Sequence, residues 1–260
     1  MNLSLIWSTL FVEPIFNLLM VFYYLIPNLG VAIILLTLSI RLLTLPLTIK
    51  QLKMGKKQRG LMPELEKIKK KYKHDKKKQA EMQMALFKEH GINPASGCLT
   101  SFPTIFIMIA LYSVINMLSH ANGDRNLVDM LYFNFFGDLS KLNANFLIWD
   151  LTRPDKVLIL PVLAGIFQFL SSKMMMPVVA RAEEVATETP DKGDDFAYNM
   201  QQQMLFMMPV MTIMIGLKLP AGTVLYLLTT SLYSLVQSYI TTGWGGLEPE
   251  INKLKKLLKK

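Results

Sequence analysis

The 260-residue sequence has one cysteine, Cys98, and three histidines, His74, His90 and His120. A single thiol excludes an internal disulfide framework, and the histidines share no ligand spacing with Cys98 or with one another, so no metal site is expected. There is no Gly-rich phosphate loop, carboxylate pair or base-stacking set of aromatics, which disfavours nucleic-acid enzymology. No cofactor is expected. The first 27 residues are apolar but have neither a basic n-region nor a small-residue cleavage site, so a cleaved signal is not expected. Charge is scarce, at 18% of residues, and it is lopsided, with 28 Lys+Arg against 19 Asp+Glu.

What is abundant is apolar. Hydrophobic residues make up 52% of the chain, 18 of them Met, and the mean hydropathy is +0.32. Such a composition suits lipid better than a private core. A bilayer core of about 30 Å needs roughly 20 apolar residues in a helix. Five stretches qualify: 29–49, 94–118 (apolar from Leu99), 157–177, 200–217 and 219–241. The last two are separated by Gly216-Leu217-Lys218-Leu219-Pro220-Ala221-Gly222, a Gly- and Pro-containing segment that predicts a tight turn rather than one continuous helix. Glu13-Pro14 is expected to split the amino-terminal stretch 1–28. Residues from Pro14 to Tyr24 are then read as an interfacial helix on the outer face, with Trp7, Phe22, Tyr23 and Tyr24 at headgroup depth. The rival reading is a sixth span. The fold expected is an all-α integral membrane protein of five transmembrane helices with an interfacial amino-terminal helix.

Basic residues orient such a chain, because Lys and Arg stay on the cytoplasmic side. The segment 50–93 holds about half of them, including Lys69, Lys70, Lys71, Lys73, Lys76, Lys77 and Lys78, and the tail 242–260 adds Lys253, Lys255, Lys256, Lys259 and Lys260. Five spans place both on the cytoplasmic face and the amino terminus outside. The loop 119–156 is then external, and the acidic loop 178–199 is internal. Within 50–93, Leu61, Leu65, Ile68 and Tyr72 recur at helical spacing, as do Met82 and Leu86 beyond His74-Asp75, which predicts an antiparallel helical hairpin. Its lysines are either a solvated helix face or a contact for lipid or ribosomal phosphate.

Arg41 is the residue that needs explaining. It lies nine residues before Lys50, about 13 Å along a helix, too far for an easy reach to the surface. A mid-membrane guanidinium costs roughly 2.5–3.5 kcal/mol even on lenient insertion scales, so it should face protein or water. Thr37 shares its helix face, and Thr104, Gln168, Thr229 and Ser231 lie in other spans, none of which supplies a clearly buried carboxylate. An arginine without a resident counter-ion invites an anion from outside; packing by Gln, Thr and carbonyls is the bland alternative. The methionines at 174–176 and at 204, 207, 208, 211 and 214 read mainly as lipid-facing or helix-packing residues, with an adaptable surface for hydrophobic partners as the lesser reading.

Several motifs together resemble the YidC family of membrane-protein insertases. They are Arg41 followed by Leu45-Pro46-Leu47-Thr48, the basic hairpin, then Gly91-Ile92-Asn93-Pro94 with Gly97-Cys98. Further on come Ala110-Leu111-Tyr112, Leu160-Pro161-Val162-Leu163 with Gly165, and Leu219-Pro220-Ala221-Gly222 through Leu225-Tyr226. The resemblance covers nearly the whole chain in order. It implies a minimal insertase of the bacterial cytoplasmic membrane, without ATP, serving nascent membrane proteins, with ribosome and Sec translocon as partners and no specific nucleic-acid sequence. By position, Arg41 would centre a hydrophilic groove lined by Thr37 and Gln168, and the hairpin would receive clients. Two positions depart from the pattern: Leu227 stands where an aromatic is common and Thr104 where Gln is common. An anion or solute transporter using Arg41 as its site, and a purely structural scaffold, are the competing functions.

Overall fold

The computed structural model describes residues 3–92, 101–119, 130–132, 142–175 and 194–258. The chain is mostly helical. Helices α1 (Leu3–Trp7) and α2 (Glu13–Leu25) are joined by a π-helical stretch, Ser8–Val12. Then follow α3 (Leu29–Gly60), α4 (Met62–Lys71), α5 (Lys76–Glu89) and α6 (Ser101–Ser119). A two-stranded antiparallel hairpin, β1 (Asn145–Phe146) and β2 (Trp149–Asp150), precedes α7 (Ile159–Met175), α8 (Asp194–Gly216), α9 (Ala221–Thr242) and α10 (Glu248–Leu258). The motif residues Asn93, Pro94, Gly97 and Cys98, half of the 119–156 loop (120–129 and 133–141), Met176 and the acidic loop up to residue 193 lie outside the described residues.

The chain divides into two compact units. The first comprises residues 1–44, 100–168 and 209–233, and the second comprises 45–99, 169–208 and 234–260.

In the first unit, α2 and the π turn bury Val12, Ile15, Phe16, Leu19 and Met20, an i, i+3, i+4, i+7, i+8 stripe. It joins one core with Ala32, Ile33 and Leu36 of α3, Leu111, Val114 and Ile115 of α6, and Val224 and Leu225 of α9. Asn17, itself buried, donates to the Met130 carbonyl at 2.8 Å and accepts from the Tyr132 amide at 2.7 Å. The amino-terminal helix is thus packed and hydrogen-bonded into this unit.

Glu13-Pro14 does not end that helix. Proline has no N–H and its ring crowds the carbonyl four residues back, and the chain accommodates both by widening. The Glu13 amide reaches the Ser8 carbonyl, five residues back. The resulting 21-residue helix Leu5–Leu25 and the helix Leu29–Gly60 are long and apolar enough to cross a membrane. The apolar helices Pro103–Ser119, Ile159–Met175 and Leu205–Gly216 are shorter. The first span and the start of the basic segment form one uninterrupted helix, α3, because nothing between Lys50 and Arg59 breaks it; a change of polarity alone does not stop a helix.

The turn expected at 216–222 is present, with α8 ending at Gly216 and α9 starting at Ala221. Gly222 lies where three elements meet. A Cβ there would sit 2.9 Å from Ile115 Cδ1, 3.1 Å from Ile33 Cδ1 and 3.1 Å from the Leu151 carbonyl oxygen. Helix α7 is started by Asp155, whose buried carboxylate accepts from the Val157 and Leu160 amides at 2.9 and 2.8 Å. Replacing it with Ala removes a capping acceptor and is expected to cost about 1 kcal/mol of stability. Equilibrium unfolding in mild detergent checks this, with the exposed Arg153→Ala as control.

In the second unit, Leu61 and Leu65 at the start of α4 cluster with Leu86 and Ile92 at and beyond the end of α5. The two helices therefore fold back on each other across the Tyr72–Asp75 turn. Asp75 caps α5 by accepting from the Lys78 amide at 3.0 Å.

Candidate functional site

Arg41 lies on α3 twelve residues (41 − 29) after Leu29, the helix start, in the first unit. Its guanidinium is half-buried, with the phenols of Tyr226 and Tyr233 from α9 as electrostatic neighbours. Among the described residues no Asp or Glu pairs with it.

Helix α9 is the hub of the surrounding polar groups. The Ser231 hydroxyl donates to Gln168 Oε1 of α7 at 3.0 Å, and the Tyr226 hydroxyl donates to the Thr104 carbonyl of α6 at 3.3 Å. Two of the expected lining residues are turned to their own helices. Thr37 is buried and donates to the Ile33 carbonyl at 2.6 Å, and Thr229 donates to Leu225 at 2.8 Å. Satisfying a hydroxyl on the carbonyl four residues back is the usual way an apolar helix carries Thr. Gln168, Thr104 and Thr229 are half-buried, whereas Ser231 is buried. Among the described residues no hydrogen bond joins Arg41 to Thr37, Thr104, Gln168, Thr229 or Ser231. Sequence reasoning missed Tyr226 and Tyr233 as members of the set. Their positions on α9, at 226, 229–230 and 233, form an i, i+3/i+4, i+7 polar stripe that could have identified them.

In the second unit, Lys70, Lys71, Lys77 and Lys78 are exposed and Lys73 is half-buried; the side chains of Lys69 and Lys76 fall outside the described ones. Lys71 and Lys78 lie 5.6 and 5.9 Å from the Tyr72 ring centre, so one aromatic at the turn carries two ammonium groups. Arg59 donates from Nη1 to the Met174 carbonyl at 3.1 Å, an acceptor in the last turn of α7, and burial pushes its pKa down from the usual arginine value.

Lys173 Nζ donates to Glu250 Oε1 at 2.7 Å, which ties α10 to the end of α7. That hydrogen bond is the main reason the Glu250 carboxyl lies below its ordinary pKa. A carboxyl lowered in the folded chain stabilises it above the unfolded pKa, and the contribution disappears as pH falls through the lowered value. The pair is partly exposed, so it is worth under about 1 kcal/mol. Hydrogen exchange in Glu248–Leu258, corrected for its intrinsic pH dependence, is expected to become faster in acid. Lys173→Ala should remove that dependence.

The fold and site define a predominantly helical protein whose apolar helices carry hydrogen-bonded polar side chains and an arginine with no carboxylate partner among the described residues. The family model described as 60Kd inner membrane protein matches residues 21–245. The membrane protein insertase YidC 1 of Halalkalibacterium halodurans is 34% identical over 244 residues, covering 92% of this chain and 79% of its own length. The insertase MisCA of Bacillus subtilis is 34% identical over 230 residues, covering 87% of this chain and 73% of its own. The crystal structure of an active YidC insertase with its first transmembrane domain resolved is similar at 28% identity and a TM-score of 0.58. The match covers 87% of this chain and 46% of that one, so this chain spans under half of the solved protein. The chain belongs to the 60Kd inner membrane protein family, in which its YidC relatives fall.

Proposed function

We propose that this chain is a membrane-protein insertase that moves hydrophobic segments of nascent proteins from the cytoplasm into the bilayer, without ATP, by way of a hydrophilic groove centred on Arg41. The observation that carries this reading is a half-buried arginine on an apolar helix whose electrostatic neighbours are the phenols of Tyr226 and Tyr233, with no carboxylate partner among the described residues. The names of the relatives support it.

The groove acts on the desolvation barrier. A client's short polar tail, often acidic, enters water held around Arg41 while the adjoining hydrophobic segment partitions into lipid. At roughly 25 cal/mol per Å² of apolar surface, burial of a 20-residue helix outweighs transfer of a short tail, so no nucleotide is required. In this reading the chain crosses the bacterial cytoplasmic membrane five times, amino terminus outside and carboxyl terminus inside. The α4–α5 hairpin and its lysines receive clients on the cytoplasmic face, and ribosome and Sec translocon are partners there.

The test is reconstitution of the purified full-length chain in liposomes, scoring insertion of a single-span client with an acidic tail and, in parallel, anion flux. Nucleotide-independent insertion well above protein-free vesicles, with no flux, is expected. Flux without insertion would favour a transporter and sink this reading.

A further inference from the structure

Among the described residues, the non-glycine positions with positive φ are Leu147 (φ 54°) and Leu158 (φ 64°). This left-handed conformation brings the Cβ of any L-residue too close to the following carbonyl oxygen and is ordinarily left to Gly or Asn, above all in a two-residue hairpin loop. Leu147 occupies the first position of just such a loop, between the pairs Asn145↔Asp150 and Phe146↔Trp149. The strained tip is also apolar and bare. Leu147 is 81% exposed, Ile148 70%, Val157 57% and Leu158 47%.

Hydrogen bonds fix the level at which this tip stands. The Leu29 amide donates to the Asn143 carbonyl, the Asn28 side chain to the Asn145 carbonyl, and the Ala221 and Gly222 amides to the carbonyls of Arg153 and Leu151. The hairpin is thereby tied to the first residues of α3 and α9, and five residues beyond Pro154 the chain enters α7. Exposed Lys156 and Lys218 lie in the same connecting segments.

We propose that the Leu147–Ile148 tip, with Val157 and Leu158, is an interfacial anchor that inserts into the headgroup and upper acyl region of an anionic bilayer. The apolar tip enters lipid while Lys156 and Lys218 meet lipid phosphate. A two-residue tip is far below the roughly 800 Å² per partner of a stable protein interface, which favours lipid over a protein occupant. The anchor sets the height of the α3 start, and with it the depth of Arg41 about 18 Å further along the helix. It rests on the reading that these helices span a bilayer, but its readout is independent of client insertion. A dry tip in an inactive protein and a wet tip in an active one therefore tell the two claims apart.

The test uses the full-length chain with Cys98→Ser and a nitroxide at Ile148→Cys or at Arg153→Cys, in phosphatidylglycerol–phosphatidylethanolamine vesicles. Collisions with a water-soluble nickel chelate should be several-fold fewer at 148 than at 153, and collisions with oxygen more frequent. Equal nickel access at the two positions would overturn the proposal, including the case in which the tip waits for a protein partner. Exchanging phosphatidylglycerol for phosphatidylcholine should raise nickel access at 148; unchanged access would overturn the role given to the two lysines. Leu147→Gly should raise the unfolding midpoint in detergent by relieving the backbone while leaving 148 shallower. A lower midpoint would mean that the fold itself needs this leucine, and would overturn the idea that the strain is kept for lipid.

Discussion

Arg41→Ala is expected to slow insertion of clients with acidic tails by about ten- to a hundredfold, since a hydrogen bond to a charged group contributes about 1.5–3 kcal/mol and each 1.4 kcal/mol is tenfold. Clients with neutral tails should be affected far less, because they lose only the water that the guanidinium holds. Arg41→Lys should retain part of the rate, as a point charge without the planar fork. The folded protein should tolerate the alanine, since no carboxylate among the described residues would be stranded by it. Initial rates in reconstituted vesicles, paired with an unfolding midpoint for each variant, separate a functional loss from a structural one.

Phe16→Ala carries the largest expected effect on stability. Phe16 is 1% exposed at the centre of the α2 stripe, whereas Leu18 on the opposite side is 38% exposed. Emptying that site should cost about 3 kcal/mol, the low end for a large aromatic in a core, because lipid is a milder alternative environment than water. Leu18→Ala should change little. The comparison asks whether the amino-terminal helix is part of the folded unit. Similar small effects at both positions would instead fit a helix lying loosely at the interface.

How far the sequence foretold this structure depends on the kind of signal. The turn before Ala221 was legible because Gly216, Pro220 and Gly222 act on the backbone directly. Pro14 acts on it too, but a π turn absorbed the lost hydrogen bond, and whether a proline ends or only widens a helix depends on packing that lies far away in sequence. Helix α3 ran past the expected boundary at Lys50 because charge marks a change of solvent and not a break in hydrogen bonding. The β1–β2 hairpin was invisible, since Phe146-Leu147-Ile148-Trp149 contains none of the residues that advertise a tight turn.

In the candidate site, a lone charge nine residues inside an apolar stretch singled out Arg41 as the residue to explain. The roles of its neighbours were harder to read. Thr37 shares the helix face of Arg41, yet its hydroxyl donates to the Ile33 carbonyl, a rotamer choice that residue type does not determine. Gln168 and Ser231 are 63 residues apart and meet only once α7 and α9 pack. Tyr226 and Tyr233 were legible in principle as a polar stripe on α9, but aromatic residues in an apolar helix read first as packing.

The central claim is that water from the cytoplasmic side reaches the surroundings of Arg41. It is tested most directly by placing a single cysteine at Gln168 or Thr229, in the Cys98→Ser chain, and exposing oriented vesicles to a membrane-impermeant maleimide from each side. The account predicts rapid labelling from the cytoplasmic side, none from the outside, and protection by a client with an acidic tail. Thiols silent from both sides in a folded, active protein would mean that this polar set is dry packing, and would contradict it.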